Sequence, residues 1–189
     1  MKRILVIVDM QNDFIFQDCA LGTKEAEAAH LALVNYLNKT QPGDYDFIIF
    51  TRDTHFANYM DTAEGKKLPV LHCIKGTQGW EISSVLYDIA KVLMDKDGLL
   101  PTFVDKYTFG SINLPDVLAD LTEDVDQKDT LIEFCGLCTD ICVVSNVLMT
   151  KASMPEAQII VHEKFCAGVT PESHAAAIAT MKSCQIDII

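Results

Sequence analysis

The chain has 189 residues, about the length of one domain, and its 49% hydrophobic content is enough for one sizeable core. A formal net charge of −12 disfavours nucleic acid and anionic lipid as partners, and no apolar run is long enough to span a bilayer, so no membrane association is expected. Seven cysteines, an odd number without regular spacing, point to reduced thiols and a cytoplasmic setting.

Arg3 to Val8 is a near-continuous apolar run, the pattern of a strand buried on both faces. The N-terminus enters it directly, with no cleavage site, so no secretory leader is expected. Asp9 follows at once. A carboxylate after a buried strand is costly unless it is solvated, paired or functional, and a turn cap is the plainer alternative. Residues 23–40 carry helical spacing, with Leu31, Val34 and Leu37 on one face. Gln41-Pro42-Gly43 ends that helix. Asp46 to Thr51 reads as the second strand. It runs into Arg52-Asp53-Thr54-His55, then a polar loop through Asp61 and Glu64, then Leu68-Pro69-Val70-Leu71-His72. Asp53 and His55 alternate, so both side chains can face one way at the strand end. With His72 and a loop carboxylate they could form a nitrogen/oxygen site for a divalent metal; an ordinary polar loop fits the same spacing.

Residues 75–80 form a glycine-bracketed loop without the Gly-Lys-Ser/Thr order of a phosphate loop. Residues 83–92 read as a weak helix or a connector. Residues 102–105 make a short third strand, directly followed by Lys106, and residues 116–121 lie in a helix. Residues 130–134 are the fourth strand. It leads through Gly136 and Cys138 to Cys142, and residues 142–149 have helical spacing. Residues 158–161 are the fifth strand, Thr170-Pro171-Glu172 opens a helix that runs to about Ser183, and residues 186–189 close the chain as a strand.

Strands alternate with helices throughout. That predicts one α/β domain over residues 1–189, a doubly wound three-layer α/β/α fold on a mainly parallel sheet of about six strands. Ligands bind such sheets at the carboxyl ends of the strands. The turn before Cys142 lies at such an end. A thiol at a helix N-terminus is expected to have a lowered pKa, and the free N–H groups of the first turn can hold an oxyanion. Cys142 is therefore the candidate nucleophile. The neighbouring thiols Cys135 and Cys138 leave two other readings open, a metal cluster and plain apolar burial. With the first strand central and the fourth beside it, Asp9, Lys106 and Cys142 would meet at one edge. A carboxylate, an ammonium and a thiol form a set suited to covalent catalysis, although a lysine is more often a solvated surface charge.

The motifs Val6-Ile7-Val8-Asp9-Met10-Gln11-Asn12-Asp13-Phe14, Thr51-Arg52-Asp53-Thr54-His55, His72-Cys73-Ile74-Lys75-Gly76-Thr77, Lys106-Tyr107-Thr108-Phe109-Gly110-Ser111 and Gly136-Leu137-Cys138-Thr139-Asp140-Ile141-Cys142-Val143 span nearly the whole chain. In order and spacing they resemble the isochorismatase-like cysteine hydrolases, and among these the nicotinamidases. The resemblance implies Asp9, Lys106 and Cys142 as a catalytic triad. It also implies a cis peptide between Leu137 and Cys138, with an oxyanion held by the N–H groups of Cys138 and Cys142. It further implies metal ligation by Asp53, His55, His72 and a loop carboxylate, Glu64 or Asp61. The metal would be divalent, zinc first, with manganese or iron as alternatives. The implied substrate is a small amide, most simply nicotinamide, in a pocket of Phe14, Leu68, Phe109 and Leu137. The implied assembly is a homo-oligomer.

Leu68 departs from the aromatic residue that nicotinamidases usually carry there; Leu68 itself, Phe109 or Trp80 could replace that wall. Two other functions fit the same residues: hydrolysis of a carbamoyl or ureido compound, and a thiol-rich binding or redox-responsive protein on the same fold. His30, His162 and His174 lie outside the motifs, with His30 and His174 expected as surface or packing residues on helices.

Overall fold

The computed structural model describes residues 1–95 and 98–189. Six strands form one sheet in the order β3-β2-β1-β4-β5-β6, and every ladder is parallel. They are β1 (Lys2–Val8), β2 (Phe47–Asp53), β3 (Thr102–Lys106), β4 (Thr130–Leu137), β5 (Gln158–Ala167) and β6 (Asp187–Ile188). The helices are α1 (Asn12–Ile15), α2 (Lys24–Leu37), α3 (Ser84–Met94), α4 (Leu114–Leu121), α5 (Val144–Ser153) and α6 (Pro171–Ser183). The predicted three-layer α/β/α architecture is the one observed. β1 lies between β2 and β4, and Ile4 to Val8 are wholly buried, as the unbroken apolar run requires. Among the described residues no helix is long and apolar enough to cross a membrane. All seven cysteines are free thiols.

Several elements differ from the sequence expectation for local reasons. Helix α2 starts where the Thr23 side chain accepts from the Ala26 N–H, and it stops at Leu37. Its buried stripe is Ala26, Ala29, His30, Leu33, Val34 and Leu37, so Leu31 faces solvent. His30 is inside, 2.8 Å from the Ser83 hydroxyl, and burial lowers its pKa. Residues 84–94 are a full helix rather than a connector, with Leu86, Ala90, Leu93 and Met94 buried. β5 runs ten residues, not four. Its charged middle, Glu163-Lys164, interrupts the apolar signal, yet Cys166 and Ala167 resume pairing with Gly136 and Leu137. Gly136 has φ 124°, and a Cβ there would sit 2.0 Å from the Val8 carbonyl oxygen. Only glycine lets β4 come that close to β1.

Glu133 on β4 carries a buried charge away from the strand ends. Its carboxylate accepts from the Arg3 Nε and the Tyr45 hydroxyl, and lies 2.5 Å from His162 Nε2. Burial pushes the carboxyl up, but His162 and Arg3 outweigh it and hold the pKa at about 2, below the ordinary 4.5. A depressed carboxylate stabilises the fold above its unfolded pKa, and that stabilisation is lost as pH falls toward the folded value. Glu133→Gln is therefore expected to lower stability by about 2 kcal/mol at pH 7, a figure discounted because Arg3 is partly exposed. The gap should close between pH 4.5 and about 2. Urea unfolding of both proteins across that range measures it.

Candidate active site

Asp9, Asp53, Lys106 and Cys142 sit at the carboxyl edge of the sheet, at or just beyond the ends of four adjacent strands. Asp9 follows β1 with φ 47°, a left-handed conformation that costs a non-glycine residue about 1 kcal/mol or more. The Thr51 hydroxyl donates to Asp9 Oδ1 at 2.6 Å, which fixes the carboxylate. Lys106 ends β3, and its Nζ lies 2.7 Å from Asp9 Oδ2, 3.3 Å from Asp53 Oδ1 and 3.5 Å from Cys142 Sγ. The same ammonium donates to the Thr108 carbonyl. Cys142 lies inside a π-helical turn (Thr139–Val143) that runs into α5. Asn146 of α5 donates to the Cys142 carbonyl at 2.8 Å, and its own amide oxygen accepts from the Ser111 N–H, tying the loop after Lys106 to the thiol's turn. The three groups expected to converge do so, and all three residues are buried.

The electrostatics differ from the sequence expectation at the thiol. Burial raises the Cys142 pKa well above its usual value; Lys106 opposes the rise, while Asp9 and Asp53 add to it. A water-poor site penalises the thiolate more than the turn's dipole favours it. The resting group is thus a thiol. Burial also raises the Asp9 pKa above the ordinary carboxylate value, with Asp53 adding and Lys106 opposing. Lys106 remains an ammonium, because the carboxylates of Asp9 and Asp53 outweigh its burial. The peptide bond between Leu137 and Cys138 is cis.

Beside this group, Asp53, His55, Glu64 and His72 each offer one ligand atom, and these atoms lie within 4.8 Å of one another. His55 Nε2 is 3.1 Å from Asp53 Oδ2 and 3.5 Å from Glu64 Oε1. His72 Nδ1 donates to the Val70 carbonyl at 2.8 Å, which leaves Nε2 with its lone pair facing the carboxylates. Burial pushes the Asp53 carboxyl up, but Lys106, His55 and His72 prevail and hold it far below its usual value. Two imidazoles and two carboxylates, one of them ionised and buried, fit a divalent ion of the zinc, manganese or iron kind. The loop carboxylate of the cluster is Glu64. Asp61 is exposed and outside it.

Phe14, Leu68, Phe109 and Leu137 all line the cavity that opens onto Cys142, as expected. Trp80 does not. Its ring lies under the Arg52 guanidinium at 4.0 Å and its indole N–H donates to Thr54. Gln11 escaped the sequence reading. It is fully buried, its amide NH₂ donates to the carbonyls of Asp53 and Trp80, and its oxygen accepts from the Asp53 N–H at 2.7 Å. The signal was an amide side chain three residues past a buried strand, in a position where burial without partners would be costly. Gln11→Ala is expected to weaken zinc binding about 10- to 100-fold, because the backbone carrying Asp53 loses both its clamps. A calorimetric titration of metal-free protein reads this directly.

The family model for the Isochorismatase domain matches residues 3–189. The chain belongs to the isochorismatase family. This isochorismatase-family hydrolase is 24% identical over 191 residues to a nicotinamidase/pyrazinamidase of Mycobacterium tuberculosis, a match covering 99% of this chain and 98% of the relative. Its structure is similar to that of the nicotinamidase/pyrazinamidase PncA from Bacillus subtilis, with TM-score 0.79 and 26% identity over 100% of this chain and 99% of that one. It shares its fold with the pyrazinamidase of Pyrococcus horikoshii solved in complex with zinc, with TM-score 0.77 and 23% identity over 100% and 99% of the two chains.

Proposed function

We propose that this hydrolase cleaves nicotinamide to nicotinate and ammonia through a thioester on Cys142. The observation that carries the reading is Lys106, which joins Asp9 and Cys142 at 2.7 and 3.5 Å beside an apolar cavity. Asp9, with its raised pKa, takes the thiol proton as sulfur attacks the amide carbon. The oxyanion rests on the N–H groups of Cys138 and Cys142. The C–N bond breaks as Asp9 passes its proton to the departing nitrogen, and ammonia leaves. Asp9 then takes a proton from water, the hydroxide attacks the thioester, and nicotinate departs as Cys142 regains its proton. Lys106 keeps its charge throughout and offsets each anion formed beside it.

Asp53, His55, Glu64 and His72 would hold a divalent metal, zinc before manganese or iron. When bound, it would supply a Lewis-acidic anchor for the pyridine nitrogen. Orienting the ring in this way would present the amide carbon to the Cys142 sulfur.

The cavity also favours an aromatic amide over a ureido or carbamoyl acid. Among the described residues lining it there is no lysine or arginine, and apart from the thiols and metal ligands only Thr23 is polar. An acid substrate would find no cationic side chain on this lining and would depend on the metal alone to pair its charge. Metal-loaded protein should release ammonia from nicotinamide, and hydrolyse ureido acids at least a hundredfold more slowly. Ammonia release from ureido acids alone would overturn the substrate. No release from any amide would overturn the reaction.

A further inference from the structure

The cavity is larger than one pyridine ring requires. Its volume is about 320 Å³. A one-ring carboxamide fills on the order of 150 Å³ at interior packing density. A metal ion with two waters takes roughly 60–90 Å³ more, at about 30 Å³ per water-sized body. Roughly a quarter to a third of the space remains.

That surplus has a definite place and character. Asp53 and His72 bound the cavity from the β2 side. Ala167, Gly168 and Val169 bound it from the end of β5, three strands away across the sheet. Leu21 and Ala26 close this far end from the loop after α1 and the first turn of α2. These five residues are aliphatic or without a side chain. The nearby Thr23 hydroxyl accepts from the Ala26 N–H, which leaves its single O–H as the one polar side-chain group at this end among the described lining residues. A polar substituent would find at most that one hydroxyl among the side chains of this wall, whereas an alkyl group or a fused ring would cover its apolar surface. The amide nitrogen cannot use this room. It must face Asp9 to take a proton, and Asp9 is fully buried against Thr51 and Lys106.

We infer that the preferred substrate is a primary aromatic carboxamide bulkier than nicotinamide, its extra apolar group seated against Leu21, Ala26 and Val169. This rests on the amidohydrolase reading above. The test compares nicotinamide, quinoline-3-carboxamide and N-methylnicotinamide as substrates of the metal-loaded protein. Quinoline-3-carboxamide should have a kcat/KM at least tenfold above that of nicotinamide. N-methylnicotinamide should be hydrolysed at least a hundredfold more slowly than nicotinamide. Ala26→Leu, which fills the far end, should bring the fused-ring to one-ring ratio to one or below. Val169→Phe, at an exposed position, fills the same end if the first variant does not fold.

A wild-type preference for nicotinamide, a ratio unmoved by both variants, or faster turnover of the N-methyl amide would overturn the inference. Calorimetric binding of the two rings to Cys142→Ala separates it from the reaction. If no amide is hydrolysed but the fused ring binds tenfold tighter, the hydrolase reading falls and the assignment of the cavity stands. If nicotinamide is hydrolysed and the fused ring binds no tighter, the assignment falls alone.

Discussion

Cys142→Ala is expected to abolish amide hydrolysis, lowering kcat on the order of 10⁴-fold or more, while the unfolding midpoint stays nearly unmoved. Removing one member of a cooperating set typically costs about as much as removing the set. Cys138 also lines the cavity, but the ammonium of Lys106 is directed to Cys142. Ammonia release from nicotinamide, followed alongside thermal unfolding, checks both halves. Residual activity above about a hundredth of wild type would move the nucleophile to Cys138.

Lys106→Met should be the most destabilising single change in the site. The Lys106 and Asp9 side chains are wholly buried, and that of Asp53 nearly so. Removing the ammonium leaves two carboxylates facing each other without their common counter-charge. Breaking a buried pair in this way costs about 3–5 kcal/mol, which for a chain of this size lowers Tm by roughly 10 °C. The measurement belongs in metal-free protein, because a cation at Asp53 would restore part of the missing charge. Zinc should accordingly recover part of the lost Tm. A variant as stable as wild type would mean that the carboxylates are solvated or neutral, and that Lys106 does not balance them.

The fold was legible where burial is uniform. Ile4 to Val8 read as a central strand because nothing polar interrupts them, residues 130–134 read as one although Glu133 stands among their apolar residues, and strand alternation then gave the parallel sheet. Convergence of Asp9, Lys106 and Cys142 followed from that topology alone. β5 was cut short because Glu163 and Lys164 are exposed within it, so its apolar period breaks where the ladder also shifts register, before Cys166 and Ala167 rejoin β4. Leu31 was misplaced because a helical stripe admits neighbouring rows, and only the packed partner decides between them. The thiol's acidity was read from the helix end, with no knowledge that the cavity would be dry. Gln11 went unrecognised because its role is to hold another residue's backbone, and a side chain that touches no reacting group has no spacing signature. The choice of Glu64 over Asp61 depended on the path of a loop, which local sequence does not encode.

The ammonium that serves the site is carried by the sheet's outermost ribbon. β3 has only β2 beside it, and its five residues end at Lys106. Such a border segment is the first to peel under mild urea, well before the interior strands part. Peeling would withdraw the charge from Asp9 and Cys142 while the rest of the core stays assembled. The protein should therefore fall silent at a lower urea concentration than the one that erases its far-ultraviolet dichroism, so that loss of turnover gauges the anchorage of one border ribbon rather than survival of the whole.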